Sequence, residues 1–286
     1  YLCLLDMMKY KDRVCEVTIS PDILKKYSRT TRITLEVKKS ILADNNSMHL
    51  EIYNLSEPTR NRITSDINSI VRIRAGYSEN TGLMEIGLGN IANVTTIFNL
   101  PDIITKIYAK DGFSSTRSKR ISISFSENCY LREIIDKIVS LLNLPVRYLD
   151  YDKSAILKNG YAFAGSLTSC LDELSMQFGF TWSIQNGQLM IINKRVGTGA
   201  QIVLLSPSSG LINSPEEVIV SNFLKKDTER EYKVRTLLQP QLEAGDLVAI
   251  ESRALKGVFL IQELLHTGDT TGDAWYTDMI VRRKNG

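Results

Sequence analysis

Two stretches near opposite ends of the chain share one rhythm, and that rhythm leaves few folds open. "LEIYNLSEPTR…IVRIRAGYSENTGLMEIGLGNIANV" reads as strand, Leu-x-x-Pro, strand, glycine-containing turn, long strand. "YKVRTLLQPQLEAGDLVAIESRALKGVFLIQELLHT" reads as strand, Leu-x-Pro, strand, glycine-containing turn, long strand. The match lies in pattern more than in identity. It predicts an internal duplication of a small β-barrel, with other structure between the copies.

The strands follow from period-2 alternation, which buries one face of a strand and wets the other. "CEVTI" (15–19), "RITLEVKK" (32–39), "MHLEIYNL" (48–55) and "IVRIRAGY" (70–77) all alternate in this way, with Val71, Ile73 and Ala75 on one face. Gly87 and Gly89 inside the 83–94 strand point to a bulge or bend. "IITKIYAKDG" (103–112) is a further strand. Ser56 is placed to cap a short helix that holds Pro58 in its first turn. After the second gap the strands return as "REYKVRTLL", "DLVAIES", "GVFLIQELLHTG" and "WYTDMIVRR".

Between the two blocks the period changes. Leu131, Ile134, Ile135, Ile138, Leu141 and Leu142 fall at helical spacing, and Pro145 stops that helix. A second helix begins near Ser166 with the stripe Leu167, Cys170, Leu171, Leu174 and Phe178, and Gly179 suits its C-terminal cap. Asn186-Gly187 is a hairpin turn signal between two apolar runs. "VGTGAQIVLLSPSSGLINSPEEV" is a Gly/Ser/Pro-rich bridge with one short strand, and Ser206–Pro215 within it reads as a loop at a domain junction.

Composition excludes several classes. The chain carries 35 basic against 32 acidic residues, a net charge of +3, so no strongly nucleic-acid-binding surface is implied. The local runs Lys225-Lys226 and Arg282-Arg283-Lys284 read as solvated faces or tail. No apolar run approaches the roughly 18 residues of a membrane span, and "YLCLLDMM" is a poor signal peptide. Cys3, Cys15, Cys129 and Cys170 form no C-x-x-C pair and read as reduced, buried thiols.

The densest cluster of chemistry-bearing residues is "HTGDTTGD" (266–273). The other histidine is His49, in a strand and facing solvent, and neither H-E-x-x-H nor EF-hand spacing is present. Glycine for positive φ and aspartate for side-chain-to-backbone bonds make the stretch a turn. Glu51 and Glu85 as a glycosidase-like pair, and Tyr77, Tyr108, Phe113, Trp275 and Tyr276 as base-stacking residues, are weighed against plain surface and barrel packing, which account for them more simply. No catalytic, metal or cofactor residue is assigned, and the chain is not read as an enzyme.

"MHLEIYNLSEPTRNRI", "VRIRAGYSENTG", "GLGNI" and "YAKDG", followed by "GLINSPEEV", "LLQPQLEAGDLVAIES" and "GVFLIQELLHTGDTTGDAWYT", resemble in order and spacing the bacteriophage tail hub (baseplate hub) proteins, the Mu-like and T-even-like hubs of contractile tails. The resemblance implies an α+β, mostly β chain: two tail-tube-like β-barrel domains (1–118 and 197–286) flanking a small α+β module of two helices and a β-hairpin (119–196). It implies a structural virion protein of the tail tip, assembled in the host cytoplasm without membrane insertion of its own. It further implies a homotrimer whose six barrels form a pseudo-six-fold ring, joining the hexameric tail tube to a trimeric spike or central fibre around the DNA exit channel. Tape-measure protein and wedge or sheath components are further implied neighbours. Within these stretches Tyr53, Asn54, Gly76, Tyr77, Gly89, Asn213, Pro215, Gly268, Asp269 and Trp275 are the expected structural and interface positions. Asn213 stands where glycine is common, a mild departure because Asn tolerates positive φ. "LMEIGLGNI" lacks the Phe that often precedes its glycine. No spike-binding extension follows Arg283, so spike attachment is expected through the module or the barrels. A tail-associated cell-wall hydrolase and an OB-type nucleic-acid-binding module stay open as alternatives.

Overall fold

Alternating strands build most of the molecule. The computed structural model describes residues 12–20, 24–27, 30–41, 46–66, 69–111, 119–193, 202–218 and 230–283. Lys225-Lys226, Phe113, Cys3, Lys284 and the N-terminal "YLCLLDMM" lie outside them.

The N-terminal block holds β1 (Arg13–Ile19), β2 (Leu24–Tyr27), β3 (Ile33–Ser40), β4 (Ser47–Tyr53), α1 (Glu57–Ser65), β5 (Ile70–Tyr77), β6 (Gly82–Asn99) and β7 (Asp102–Lys110). The middle holds β8 (Arg120–Phe125), β9 (Cys129–Tyr130), α2 (Leu131–Leu142), β10 (Val146–Leu149), β11 (Ile156–Leu157), β12 (Tyr161–Ser166), α3 (Leu167–Phe178), β13 (Phe180–Gln185) and β14 (Gln188–Asn193). The last block holds β15 (Val203–Leu205), β16 (Leu211–Val218), β17 (Glu231–Leu237), β18 (Leu247–Glu251), β19 (Lys256–Asp269) and β20 (Trp275–Arg283). The chain is thus α+β and mostly β.

The two outer blocks have one topology. In the first, the antiparallel neighbours run β3-β4-β7-β6-β5, and in the second β16-β17-β20-β19-β18. Their registers also correspond. Each long central strand carries a bulge at the same place, Ala92 in β6 against β7 and Gln262 in β19 against β20. Glu51 pairs Lys106 across β4 and β7 at 2.6 Å, and the equivalent positions Arg235 and Asp278 pair across β17 and β20 at 2.7 Å with the charges exchanged. Thr105 and Thr277, also equivalent, are both fully buried. The outermost pairing differs, since β1 joins β5 antiparallel whereas β15 joins β18 parallel.

The two units differ from the expected separate barrels. β3 pairs with β19, so all the strands of both units form one continuous 13-stranded sheet, and no closed barrel is seen among the described residues. The physical reason lies in β19. It runs past β18, which covers only Lys256–Leu260, and offers the edge of Glu263–Asp269 to β3. Each unit keeps its own apolar cluster, around Val17, Ile33, Leu50 and Ile73 in the first and around Val234, Val248, Phe259 and Val281 in the second.

The middle segment packs α2 and α3 with short sheets around a third cluster. Ser166 caps α3 by accepting from the Ser169 N–H, and Gly179 closes the helix at φ 72°. Asn143, left-handed at φ 54°, ends α2 two residues ahead of Pro145. Asn186 and Gly187 take φ 51° and 71°, the left-handed pair that a tight β13–β14 hairpin requires. Two local expectations need correction. Ser56 occupies the N-cap of α1 without a side-chain capping bond, its Oγ turning instead to Thr59 Oγ1 at 2.8 Å. Ser206–Pro215 is not a loop throughout: a 3₁₀ turn at Pro207–Ser209 leads into β16, whose register against β17 shifts between Ile212 and Glu216.

Candidate functional site

The "HTGDTTGD" stretch lies at the seam between the two units. Its first four residues are strand, as the alternation through "GVFLIQELLHTG" predicts for His266–Gly268 and the turn reading of 266–273 does not: His266–Asp269 pair with Thr34–Val37 of β3 on one side and, as far as Gly268, with Trp275–Thr277 of β20 on the other. Only the residues from Thr270 to Ala274 make the turn. That turn is clamped to the first unit at several points. The Ile33 N–H donates to Thr270 Oγ1 at 2.9 Å, and the Thr270 N–H returns to the Ile33 carbonyl at 3.0 Å. The Arg13 guanidinium donates to the Gly272 carbonyl at 2.7 Å, and Arg32 donates to Asp269 Oδ2 at 2.8 Å. Partial burial opposes the charge on Asp269. The Arg32 bond and the N–H groups of Thr271 and Gly272 outweigh it and hold its carboxyl down to about 2.

Trp275 completes the seam. It opens β20 of the second unit, yet its ring is fully buried in the core cluster of the first. Gly268 makes room for it, because a Cβ there would come within 2.8 Å of the indole. Arg32 and Asp269 form a half-exposed pair, so Asp269→Asn should lower stability by about 1 kcal/mol or less, read as a shift of a few degrees in melting temperature. A collapse of the fold would contradict this. Among the described residues no group of three or more His, Cys, Asp or Glu is placed to hold a metal.

The other expected positions are scattered. Tyr53 ends β4 beneath the Arg32 guanidinium, 4.7 Å from its ring centre. Asn54 is left-handed at φ 57°, donates to Asp102 at 2.9 Å and accepts from the Ile103 N–H at 2.9 Å. Gly76 faces the Gly82 carbonyl so closely that a Cβ would sit 1.9 Å away, and its neighbour Tyr77 is buried. Gly89 lies against Met48 and the Lys110 carbonyl. Asn213, at φ 63°, and Pro215 occupy the irregular part of β16 at the far edge of the sheet. Gly268, Asp269, Trp275 and Tyr53 therefore gather at or beside the seam, whereas Gly76, Tyr77 and Gly89 shape the first unit. Glu51 and Glu85 form no pair, for β7 separates their strands and each has its own cation, Lys106 and Arg72.

A groove of about 970 Å³ crosses β3, β4, β7, β6 and β19 on the face opposite the core. Arg32 and Lys106 line it together with Glu36, Glu51 and Asp269, so it carries charges of both signs, and His49 lies among them. His49 is exposed and stacks at a tilt on Tyr108, with 4.7 Å between ring centres.

Sequence reasoning missed a second cluster, where the middle segment meets both units. Lys39 on β3 donates to Glu243 at 2.6 and 2.8 Å, and both are buried. Arg147 lies 3.8 Å from Glu243 and 3.6 Å from Asp246. The β13–β14 turn inserts here. Asn186 donates to Glu243 at 2.8 Å, the Gly187 N–H to Asp111 at 2.9 Å, Gln185 to the Ala244 carbonyl at 3.0 Å, and Asn46 to the Ile184 carbonyl at 2.7 Å. One signal was in the sequence: the alternation that turns Ile33, Leu35 and Val37 inward also turns Lys39 inward. Its partner lies 204 residues away.

Two buried groups near this cluster titrate in opposite senses. Burial pushes the Asp111 carboxyl up from 3.8 to about 7, against the pull of the Gly187 N–H and Lys39. Burial and the charge of Lys39 push His266 down from 6.5 to about 3, its Nδ1 lying 2.9 Å from Thr277 Oγ1. The raised Asp111 stabilises the fold fully below about pH 3.8, and that contribution is lost as pH rises to about 7. The lowered His266 stabilises it fully above about pH 6.5, and that contribution is lost as pH falls toward 3. In the overlap the two slopes oppose. Asp111→Asn should therefore leave a melting temperature that climbs with pH up to about 6.5, while His266→Gln should leave one that declines up to about 7. Melting curves that keep the same pH slope in both variants would contradict the assignment.

Three thiols, Cys15, Cys129 and Cys170, are buried and in no disulfide. Burial, with Glu16 beside it, drives Cys15 up to about 12. No helix among the described residues is long and apolar enough to cross a membrane.

This fold, two related β units around an α+β insert, is shared with solved phage tail and type VI secretion proteins. The prophage MuSo2 43 kDa tail protein from Shewanella oneidensis shares the fold with a TM-score of 0.66 at 13% identity, over 96% of this chain and 97% of that one. The tail protein from Neisseria meningitidis MC58 does so with a TM-score of 0.66 at 7% identity, over 95% and 97% of the two chains. The E. coli c3393 protein, a component of the type VI secretion system with structural similarity to the T4 tail proteins gp27 and gp5, gives 0.63 at 9% identity, over 94% of this chain and 77% of that one. No curated protein sequence matches. The chain belongs to the baseplate hub gp41 family, whose model matches residues 14–278. It is a structural protein of the bacteriophage tail baseplate.

Proposed function

We propose that three copies of this chain form a ring at the distal end of a contractile tail, joining a six-fold tail tube to a three-fold spike around the channel through which DNA leaves. The observation that carries this reading is the duplication: one chain holds two β units with the same order of five strands and corresponding bulges in their long strands, fused edge to edge. Three such chains present six equivalent units, which is what an adaptor between six-fold and three-fold partners needs. A closed ring also removes the sheet edges that each chain exposes.

The chain divides in this reading into tube-like units at 1–118 and 197–286 around an α+β module at 119–196. The mixed-charge groove suits a channel wall that neither traps nor repels DNA, since no single-sign field lines it. The spike meets the module or the tube-like units. The fold shared with a type VI secretion component that itself resembles gp27 and gp5 supports a partner of the spike kind. Tape-measure and wedge or sheath proteins are further neighbours, and assembly takes place in the host cytoplasm. Electron-microscopic class averages of the purified protein should show closed rings with three-fold symmetry and a central channel. Two-fold particles or open filaments would overturn the ring.

A further inference from the structure

The clasp between β3 and the β13–β14 turn has the parts of a reaction as well as those of an ion pair. The buried Lys39 ammonium donates to the Glu243 carboxylate twice, at 2.8 Å to Oε1 and 2.6 Å to Oε2. Asn186 donates its side-chain N–H to the same Oε1 at 2.8 Å. One carboxylate oxygen therefore touches an amine and a carboxamide and holds them side by side. Asn186 Oδ1 is buried and has no hydrogen-bond partner among the described residues. These are the parts that amide exchange requires: a nucleophile, an electrophile and a group that moves protons between them.

We propose that Lys39 and Asn186 join covalently in the folded protein, the lysine side chain displacing ammonia from the asparagine side chain to form an isopeptide bond, with Glu243 carrying the protons. The ion pair is the arrangement from which the reaction starts. Glu243 takes a proton from the Lys39 ammonium. In a site with little water this leaves two neutral groups where two charges were buried. The freed amine attacks Asn186 Cγ; the Nζ–Cγ bond forms and the Cγ–Nδ2 bond breaks. Of the two protons that the ammonium loses, one leaves on the amide nitrogen as ammonia and the other passes to solvent. Glu243 ends as it began, and the step needs no oxidant and no cofactor.

The fold favours this bond over the ordinary fate of an Asn-Gly pair. In that fate the glycine's own backbone nitrogen attacks the asparagine side chain, which also expels ammonia but closes a five-membered imide. Here the Gly187 N–H is held by Asp111 Oδ1 at 2.9 Å. Lys39 is delivered from β3, which is paired on both sides, with β4 and β19. The approach to the turn is held as well, by the bonds from Gln185 to the Ala244 carbonyl and from Asn46 to the Ile184 carbonyl. Both reacting groups are thus fixed before reaction, which removes most of the entropy that joining them in solution would cost. The bond ties the first unit to the middle segment.

Peptide mapping of the purified protein, fresh and after several days of incubation, tests this. Trypsin does not cut after a lysine whose side chain is acylated. The bond therefore predicts a branched peptide that joins residues 39–60 to residues 159–194, is lighter than the two together by one ammonia, and accumulates with time. Lys39→Arg keeps a cation for Glu243, but its guanidinium stays charged and does not attack, so this variant should give neither the branched peptide nor the ammonia loss. Glu243→Gln, incubated below its melting temperature, should form the branch slower by about a hundredfold or more. The proposal is overturned if the incubated protein yields only the two separate peptides. It is equally overturned if the ammonia loss persists in Lys39→Arg, which marks the imide at Asn186-Gly187 instead. A branch that forms as fast in Glu243→Gln as in the unmodified protein overturns the role given to the carboxylate.

Discussion

Trp275→Ala should be among the most damaging single substitutions in this chain, at about 3–5 kcal/mol for a fully buried indole. For a protein of this size that is a fall on the order of 10 °C in melting temperature. The reason is position as much as size. Trp275 begins a strand of the second unit but fills the core of the first. Truncating it opens a cavity between Leu35 and Gly268, where the two units are joined. The defect should therefore loosen the seam itself, and hydrogen exchange should rise along β3 and the far half of β19. Trp275→Phe should cost much less. It keeps most of the ring volume and removes an indole N–H that is buried and has no hydrogen-bond partner among the described residues. A soluble alanine variant with an unchanged melting point would show that the ring does not anchor the seam.

Glu243→Gln should rival it. Breaking a buried ion pair by removing one partner costs about 3–5 kcal/mol, because the remaining charge stays in a low-dielectric site. Here the stranded charge is the Lys39 ammonium, 1% exposed. The same carboxylate also accepts from Asn186 and faces Arg147, so its loss should weaken one of the bonds that hold the β13–β14 turn, while those to Asp111, Asn46 and Ala244 remain. Lys39→Met combined with Glu243→Gln removes the charge from both sides and should recover most of the loss. If the double variant is as unstable as the single, a stranded charge is not the cause.

Much of the fold was legible because it depends on local pattern. Alternation gave β3, β4, β5 and the later strands nearly to the residue. Helical stripes gave α2 and α3, and Asn186-Gly187 gave the hairpin. The shared rhythm of the two ends pointed to a repeat from the order of five segments alone. What was not legible depends on distant partners. The turn chemistry of Gly268 and Asp269 suggested that the whole of 266–273 turns, although the alternation of "GVFLIQELLHTG" ran the strand through Gly268. In the fold β3 draws His266–Asp269 into the sheet, and only five residues turn. The edge-to-edge fusion of the units cannot be read from either unit, since a strand's own alternation does not say which edges meet. Lys39 was legible as an inward-facing cation, but Glu243 was not legible as its partner. The Ser206–Pro215 stretch looked like a loop for its Ser, Gly and Pro content, and part of it became an edge strand, where proline is tolerated.

The most direct test of the account is the mass of the protein in solution, measured by light scattering across a concentration series. One chain is 32.2 kDa. The duplicated units predict a stable particle of three chains that does not grow further with concentration. A particle of two chains, or one that lengthens without limit as concentration rises, would contradict a ring of six β units.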